Sequence, residues 1–164
     1  MKIRTAVLTV SDQGSRGLRE DKSGPAIVET LGELAEIVWT GVMPDERAQI
    51  AGVLRELADT DAADLILTTG GTGLSPRDVT PEATLDIAER QVPGMAEAMR
   101  AESLRVTPRG MLSRGVAVTR GKTLIVNLPG SPKAVRECLD VLLPALPHGV
   151  DILRGRAGEC AAQM

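Results

Sequence analysis

The residues best suited to chemistry lie together between Thr69 and Asp78, in the stretch Thr-Gly-Gly-Thr-Gly-Leu-Ser-Pro-Arg-Asp. With no Cβ at Gly70, Gly71 and Gly73, the backbone can take positive φ and bring bare N–H groups against an anion. Thr69, Thr72 and Ser75 add hydroxyls to the same loop. Arg77 is a bidentate donor for phosphate, and Asp78 is a carboxylate suited to a divalent cation. The apolar run Leu65-Ile66-Leu67 before the loop fits a buried strand. Thr80-Pro81-Glu82 after it fits a helix start, with a hydroxyl at the N-cap, proline at the first helical position and an acid in the first turn. Strand, glycine turn and capped helix in that order form an anion-binding turn at the carboxyl end of a sheet strand. A glycine-rich connection can be only a connection. An exposed Arg and Asp, however, add under about 1 kcal/mol to folding, which favours function for this loop.

Further polar groups fall where other strands should end: Ser11 and Asp12, Asp45, Ser113, and Pro129, Gly130 and Lys133 within Asn-Leu-Pro-Gly-Ser-Pro-Lys. Asp45 and Asp78 suit Mg²⁺ bridging two phosphates, because Mg²⁺ takes one or two carboxylates plus substrate oxygens. Arg77 and Lys133 suit charge building on a transferring phosphoryl or nucleotidyl group. Asp45 has a second reading as a helix N-cap worth about 0.5–2 kcal/mol, and the two readings are compatible. Other motifs lead nowhere. Gly121-Lys122-Thr123 lacks the earlier glycine of a P-loop, since position 116 is Val, and it sits between strands; it reads as a hairpin turn. His148 is the only histidine and lies between Pro147 and Gly149 near a helix end, a place that favours a structural role over catalysis, and no zinc spacing exists.

The elements that must position these groups alternate between strand and helix. Ile3–Val10 and Glu36–Met43 read as strands, and Ser11–Gly24 as a polar loop long enough to be functional. Pro25 opens a helix with Ile27, Val28, Leu31 and Leu34 on one face, and Glu46–Thr60 forms another. The helix from Pro81 is expected to run to Arg90, with a break at Pro93-Gly94 before a further helix to Val106. Val116–Thr119 and Thr123–Val126 make a hairpin near a sheet edge. Ser131 caps a last helix whose buried face includes Cys138, and Pro144 and Pro147 interrupt the pattern beyond it. This alternation calls for an α/β fold with a mostly parallel sheet covered on both faces and a late antiparallel hairpin. Residues 1–154 read as one domain and 155–164 as a flexible tail.

Composition narrows the partners. A net charge of −3, one Trp and no Phe or Tyr argue against nucleic acid and against an anionic membrane surface. Cys138 and Cys160 show no CxxC spacing, and no leader or membrane span is visible, which reads as cytoplasmic.

Thr69-Gly-Gly-Thr-Gly73, Ser75-Pro-Arg-Asp-Val-Thr-Pro-Glu82 and Asn127-Leu-Pro-Gly-Ser-Pro-Lys133 resemble the Mog/MoaB family of molybdenum cofactor biosynthesis proteins. Leu8-Thr-Val-Ser-Asp12, Asp21-Lys-Ser-Gly-Pro25, Met43-Pro-Asp-Glu46, Met111-Leu-Ser-Arg114 and Leu143-Pro-Ala-Leu-Pro-His148 follow the same pattern, so the resemblance spans Ile3 to Leu153. It implies a three-layer α/β/α sandwich assembling as a homotrimer. It implies transfer of AMP from MgATP to the terminal phosphate of molybdopterin with release of pyrophosphate. On the matching positions, Asp45 and Asp78 are the catalytic and Mg²⁺-holding acids, the Gly70–Gly73 loop is the nucleotide and phosphate site, and Ser113 lies in the pterin pocket. Met111–Arg114 and Asn127–Pro132 favour the adenylyltransferase branch. A non-catalytic molybdopterin carrier of the same fold is the alternative, and a scaffold role ranks behind it. Contacts with other molybdenum cofactor biosynthesis proteins are a further expectation.

Overall fold

Apolar residues alternate along the first strand so that Ile3 and Val7 point to one face of a sheet and Ala6, Leu8 and Val10 to the other. The computed structural model of the chain describes residues 1–158; Cys160 and the end of the expected tail lie outside the described residues. Strands β1 (Ile3–Val10), β2 (Ala35–Met43), β3 (Leu65–Thr69), β4 (Arg90–Gln91), β5 (Ala117–Arg120) and β6 (Thr123–Leu128) form one sheet in the order β2-β1-β3-β6-β5-β4. β2, β1, β3 and β6 run parallel, and β5 and β4 are antiparallel additions at one edge. The inner strand β3 is buried along its whole length, as expected where helices cover both faces.

Helices α2 (Ser23–Leu31), α5 (Pro93–Val106), α6 (Pro132–Leu142) and α7 (Leu146–Leu153) cover one face through Ile27, Met99, Leu139 and Leu146. Helices α3 (Arg47–Asp59) and α4 (Thr80–Ile87) cover the other through Ile50, Leu54 and Ile87. The chain is therefore an α/β sandwich of three layers, with a mostly parallel sheet and the late hairpin in the expected place. Cys138 is buried among the α6 core residues.

Several local expectations are corrected. The loop after β1 contains a short helix, α1 (Asp12–Ser15), and α2 starts at Ser23, where the Asp21 carboxylate accepts from the N–H groups of Ser23 and Gly24 at 3.1 and 3.0 Å. The Asp45 carboxylate does not cap α3, whose N-cap is Glu46. Thr80 is the first residue of α4, and its hydroxyl turns to the Gly70 carbonyl. That helix ends at Ile87, and residues 90 and 91 become an edge strand because Glu89 N–H and Val92 N–H reach the β5 carbonyls of Thr119 and Ala117. Helix α5 begins at Pro93, the expected break, since proline is tolerated in a first turn. The same tolerance lets α7 form across Pro147, and Gly155 with φ +69° then closes its end through an N–H to the Ile152 carbonyl.

At the amino-terminal edge of the sheet, Asp64 is 1% exposed and meets Arg4 Nη2 at 2.8 Å and Arg154 Nε at 3.0 Å. Burial pushes its carboxyl up, but the Arg4 side-chain and main-chain N–H groups with the charge of Arg154 more than offset this and hold it below the ordinary range. A carboxyl lowered in the folded state stabilises the fold above its unfolded pKa, and that contribution disappears as pH falls through the folded value. Asp64→Ala leaves Arg4 and Arg154 with the more exposed Asp61 as their shared acid and should lower unfolding free energy by about 3 kcal/mol. Urea unfolding at neutral pH checks this, and the difference between variant and wild type should shrink below about pH 4.

Candidate functional site

β1, β2, β3 and β6 all deliver their carboxyl ends to one edge of the sheet, and the polar residues singled out in the sequence leave from those ends. Gly70 has φ +93° and Gly71 φ +69°. A Cβ on Gly70 would collide with the Val10 carbonyl oxygen of β1, and one on Gly71 with the Thr80 hydroxyl and, at 3.1 Å, with Asp45 Oδ1. A Cβ on Gly73 would meet Asp78 Oδ2 at 2.9 Å. Both carboxylates thus lie against the glycine loop, so the glycines open a cradle between the acids. Thr80 holds the loop from behind, its N–H to the Gly71 carbonyl (3.1 Å) and its hydroxyl to the Gly70 carbonyl (3.0 Å).

A polar cavity of about 250 Å³ is lined by Ser11, Asp45, Thr69, Gly70, Gly71, Asp78 and Gly130 among others. Thr69 donates its hydroxyl to the Pro129 carbonyl at 2.7 Å, which joins the exits of β3 and β6. A second, less polar cavity of about 170 Å³ contains Ser113, Asn127 and Pro129, with Arg100 and Arg109 at its wall. Pro129 lines this cavity and Gly130 lines the polar one, so the two adjoin at consecutive residues. The site residues therefore fall into neighbouring chambers, with Ser113 and Pro129 in one and the acids with the glycine loop in the other.

Asp12 and Arg77 are placed otherwise than expected. Asp12 and Asp45 exchange bonds: Asp12 N–H donates to Asp45 Oδ2 and Asp45 N–H to Asp12 Oδ1, both at 3.0 Å. Arg77 grips the Asp12 carboxylate with Nε and Nη2 at 3.0 Å and reaches Glu46 at 2.9 Å, so its fork is already engaged. Arg77 and the Asp45 N–H hold the Asp12 carboxyl below its ordinary range. Burial, with the charges of Asp12 and Asp78, pushes Asp45 up. Lys133 stands away from the cavity with an 80% exposed side chain, 3.8 Å from Glu137. Ser75 donates its N–H to Asp78 Oδ2 at 3.0 Å and so orients that acid.

Arg114 and Glu82 have a part that the sequence did not show. Arg114 Nε donates to the Gly73 carbonyl and Nη2 to the Asp78 carbonyl, each at 2.7 Å. Its main-chain N–H reaches the Thr72 carbonyl at 2.9 Å, and Nη1 pairs with Glu82. One residue thereby staples both ends of the loop to α4, its side chain at the Gly73 and Asp78 carbonyls and its main chain at the Thr72 carbonyl. Asn127 is buried and bonds the hydroxyls of Thr68 and Thr84, fixing β3 and β6 beneath the loop. Asp21 and Ser23 line the acid chamber too, and the Asp-x-Ser-Gly-Pro pattern before a helix is the signal that marks them.

Residues 6–148 match the family model described as a probable molybdopterin binding domain. The chain belongs to this family. Within the family, molybdopterin adenylyltransferase of Helicobacter pylori (strain ATCC 700392 / 26695) is 45% identical over 157 residues, covering 93% of this chain and 89% of that protein. Molybdopterin adenylyltransferase of Escherichia coli (strain K12) is 39% identical over 177 residues, covering 99% and 91%. Among solved structures, the molybdopterin biosynthesis enzyme MoaB of Thermus thermophilus superposes with a TM-score of 0.89 at 53% identity, covering 93% of this chain and 97% of that one. No helix among the described residues is long and apolar enough to cross a membrane.

Because the Asp45 carboxyl is raised in the folded state, its ionisation costs stability as pH climbs through that raised value. Asp45→Asn keeps an acceptor for the Asp12 N–H and removes the charge. Its melting temperature should exceed that of wild type at neutral pH and match it near pH 3, as calorimetry across this range would show.

Proposed function

We propose that this chain is a molybdopterin adenylyltransferase, joining AMP from MgATP to the terminal phosphate of molybdopterin and releasing pyrophosphate. The observation that carries this reading is the convergence of bare glycine backbone and two carboxylates in one polar chamber beside a second, less polar one. The names of the 39–45% identical relatives support it. The triphosphate lies along Gly70–Gly73, and the pterin enters the chamber of Ser113 and Pro129. A phosphate oxygen of the pterin then attacks the α-phosphorus, a bond forms there, and the bond to the β-phosphate oxygen breaks with its electron pair leaving on pyrophosphate. No covalent enzyme intermediate is required; positioning and charge neutralisation supply the rate.

Asp78 and Asp45 are the groups that would hold the Mg²⁺ arriving with the nucleotide, since both carboxylates flank the space left by the missing Cβ atoms. When bound, that ion neutralises phosphate charge. Ser75 keeps Asp78 turned toward the loop, and Asp12 keeps Asp45 in place. Asp12 and Arg77 accordingly act as positioning residues in this reading, and Ser11, Thr69, Thr72 and Gly130 complete the nucleotide wall. The protein acts as a homotrimer in the cytoplasm, with buried Cys138 as a free thiol suited to reducing conditions.

The matching family model is described by molybdopterin binding alone, which keeps a molybdopterin-binding protein without turnover as the second reading. Incubation with MgATP and molybdopterin separates the two: pyrophosphate release supports the transferase, and binding of molybdopterin without release supports the carrier. Asp78→Ala should retain the wild-type circular dichroism spectrum and lower pyrophosphate release by about 100-fold or more. Release at the wild-type rate would remove Asp78 from the chemistry.

A further inference from the structure

One wall of the acid chamber is the segment Arg19-Glu20-Asp21-Lys22, in which two cations flank two acids. Arg19 and Lys22 line it, and neither forms an ion pair among the described residues, whereas Arg77 is tied to Asp12 and Glu46. The wall is built rather than draped. Asp21, between the two cations, accepts the Thr9 hydroxyl at 2.8 Å and the N–H groups that start α2. Ser23, 7% exposed, donates its hydroxyl to the Gly130 carbonyl. Asp21 and Ser23 therefore fasten this segment to strand exits of the sheet. Beyond it a wider space of about 640 Å³ continues along Arg19, Glu20, Lys22 and Gly130 to Ser131 and Pro132.

We infer that Arg19 and Lys22 form the subsite for the pyrophosphate leaving group. This rests on the adenylyl-transfer reading above and deepens it. In-line displacement requires nucleophile and leaving group on opposite sides of the α-phosphorus. Pro129 lines the pterin chamber and Gly130 lines the chamber of Arg19 and Lys22, so the two chambers adjoin at consecutive residues. A phosphate attacking from the first chamber expels pyrophosphate toward the second. The charge pattern selects the same occupant. Asp45, Asp78, Glu20 and Asp21 line the chamber together with Arg19 and Lys22, and this mixture of signs suits a polyphosphate carrying its own divalent cation. The acids meet the ion and the cations meet the outer phosphate oxygens. A bare monophosphate close to both acids gains less from such a chamber.

The test is calorimetric titration of magnesium pyrophosphate, and separately of AMP, into wild type and the Arg19→Gln/Lys22→Gln double variant, with the rate of pyrophosphate release from MgATP and molybdopterin measured alongside. Both side chains are exposed and form no ion pair among the described residues, so the variant should melt with wild type. The expected result is pyrophosphate binding weakened by about tenfold or more, a raised KM for MgATP and AMP affinity within about twofold of wild type. Equal pyrophosphate affinity in the two proteins, or an equal loss for AMP, would overturn the subsite whatever the turnover. A wild type that binds pyrophosphate through these cations yet releases none from MgATP would sink the transferase reading and leave the subsite standing.

Discussion

The site depends on a main-chain approach that only glycine permits. β3 leaves the sheet directly beside the end of β1, and at Gly70 the two backbones come so close that a Cβ would strike the Val10 carbonyl. The next residue repeats the demand from the other side, with Thr80 and Asp45 against it. This packing aims the loop's backbone into the chamber and leaves the two acids facing empty space. Positive φ at both glycines follows from the same requirement.

Around that contact the polar groups are arranged so that few remain free to wander. Arg114 staples the loop to α4, Ser75 turns Asp78, and Asp12 and Asp45 fix one another through their own main chains. The cost is concentrated on Asp45, whose charge is disfavoured by burial and by its acidic neighbours. Functional sites commonly hold a group of this kind, since a carboxylate that is uncomfortable alone gains most from an arriving cation.

Much of the fold was legible because it is written in local pattern. The alternation along β1, the short apolar run of β3, the spacing of the α6 core face and Ser131, whose hydroxyl accepts the Ala134 N–H at 3.2 Å, all follow from period and capping chemistry. The glycine loop was legible because glycine and charge coincide there. What escaped was decided at long range. Residues 90 and 91 become a strand only because β5 offers carbonyls, and Asp45 abandons the cap of α3 because the Asp12 N–H stands across from it. Arg77 looked like a free phosphate ligand until folding brought two acids to it from α1 and the start of α3. The role of Arg114 likewise appears only once the loop it holds is folded back against α4.

The Asp64 cluster stands at the opposite end of the sheet from the glycine loop, and it is there that α7 hands the chain on past Arg154. Extra polypeptide appended after that point would emerge behind the molecule, well clear of the mouth of the cleft. The architecture is therefore ready for fusion: a second module could be carried on the back of this one without shading the candidate site.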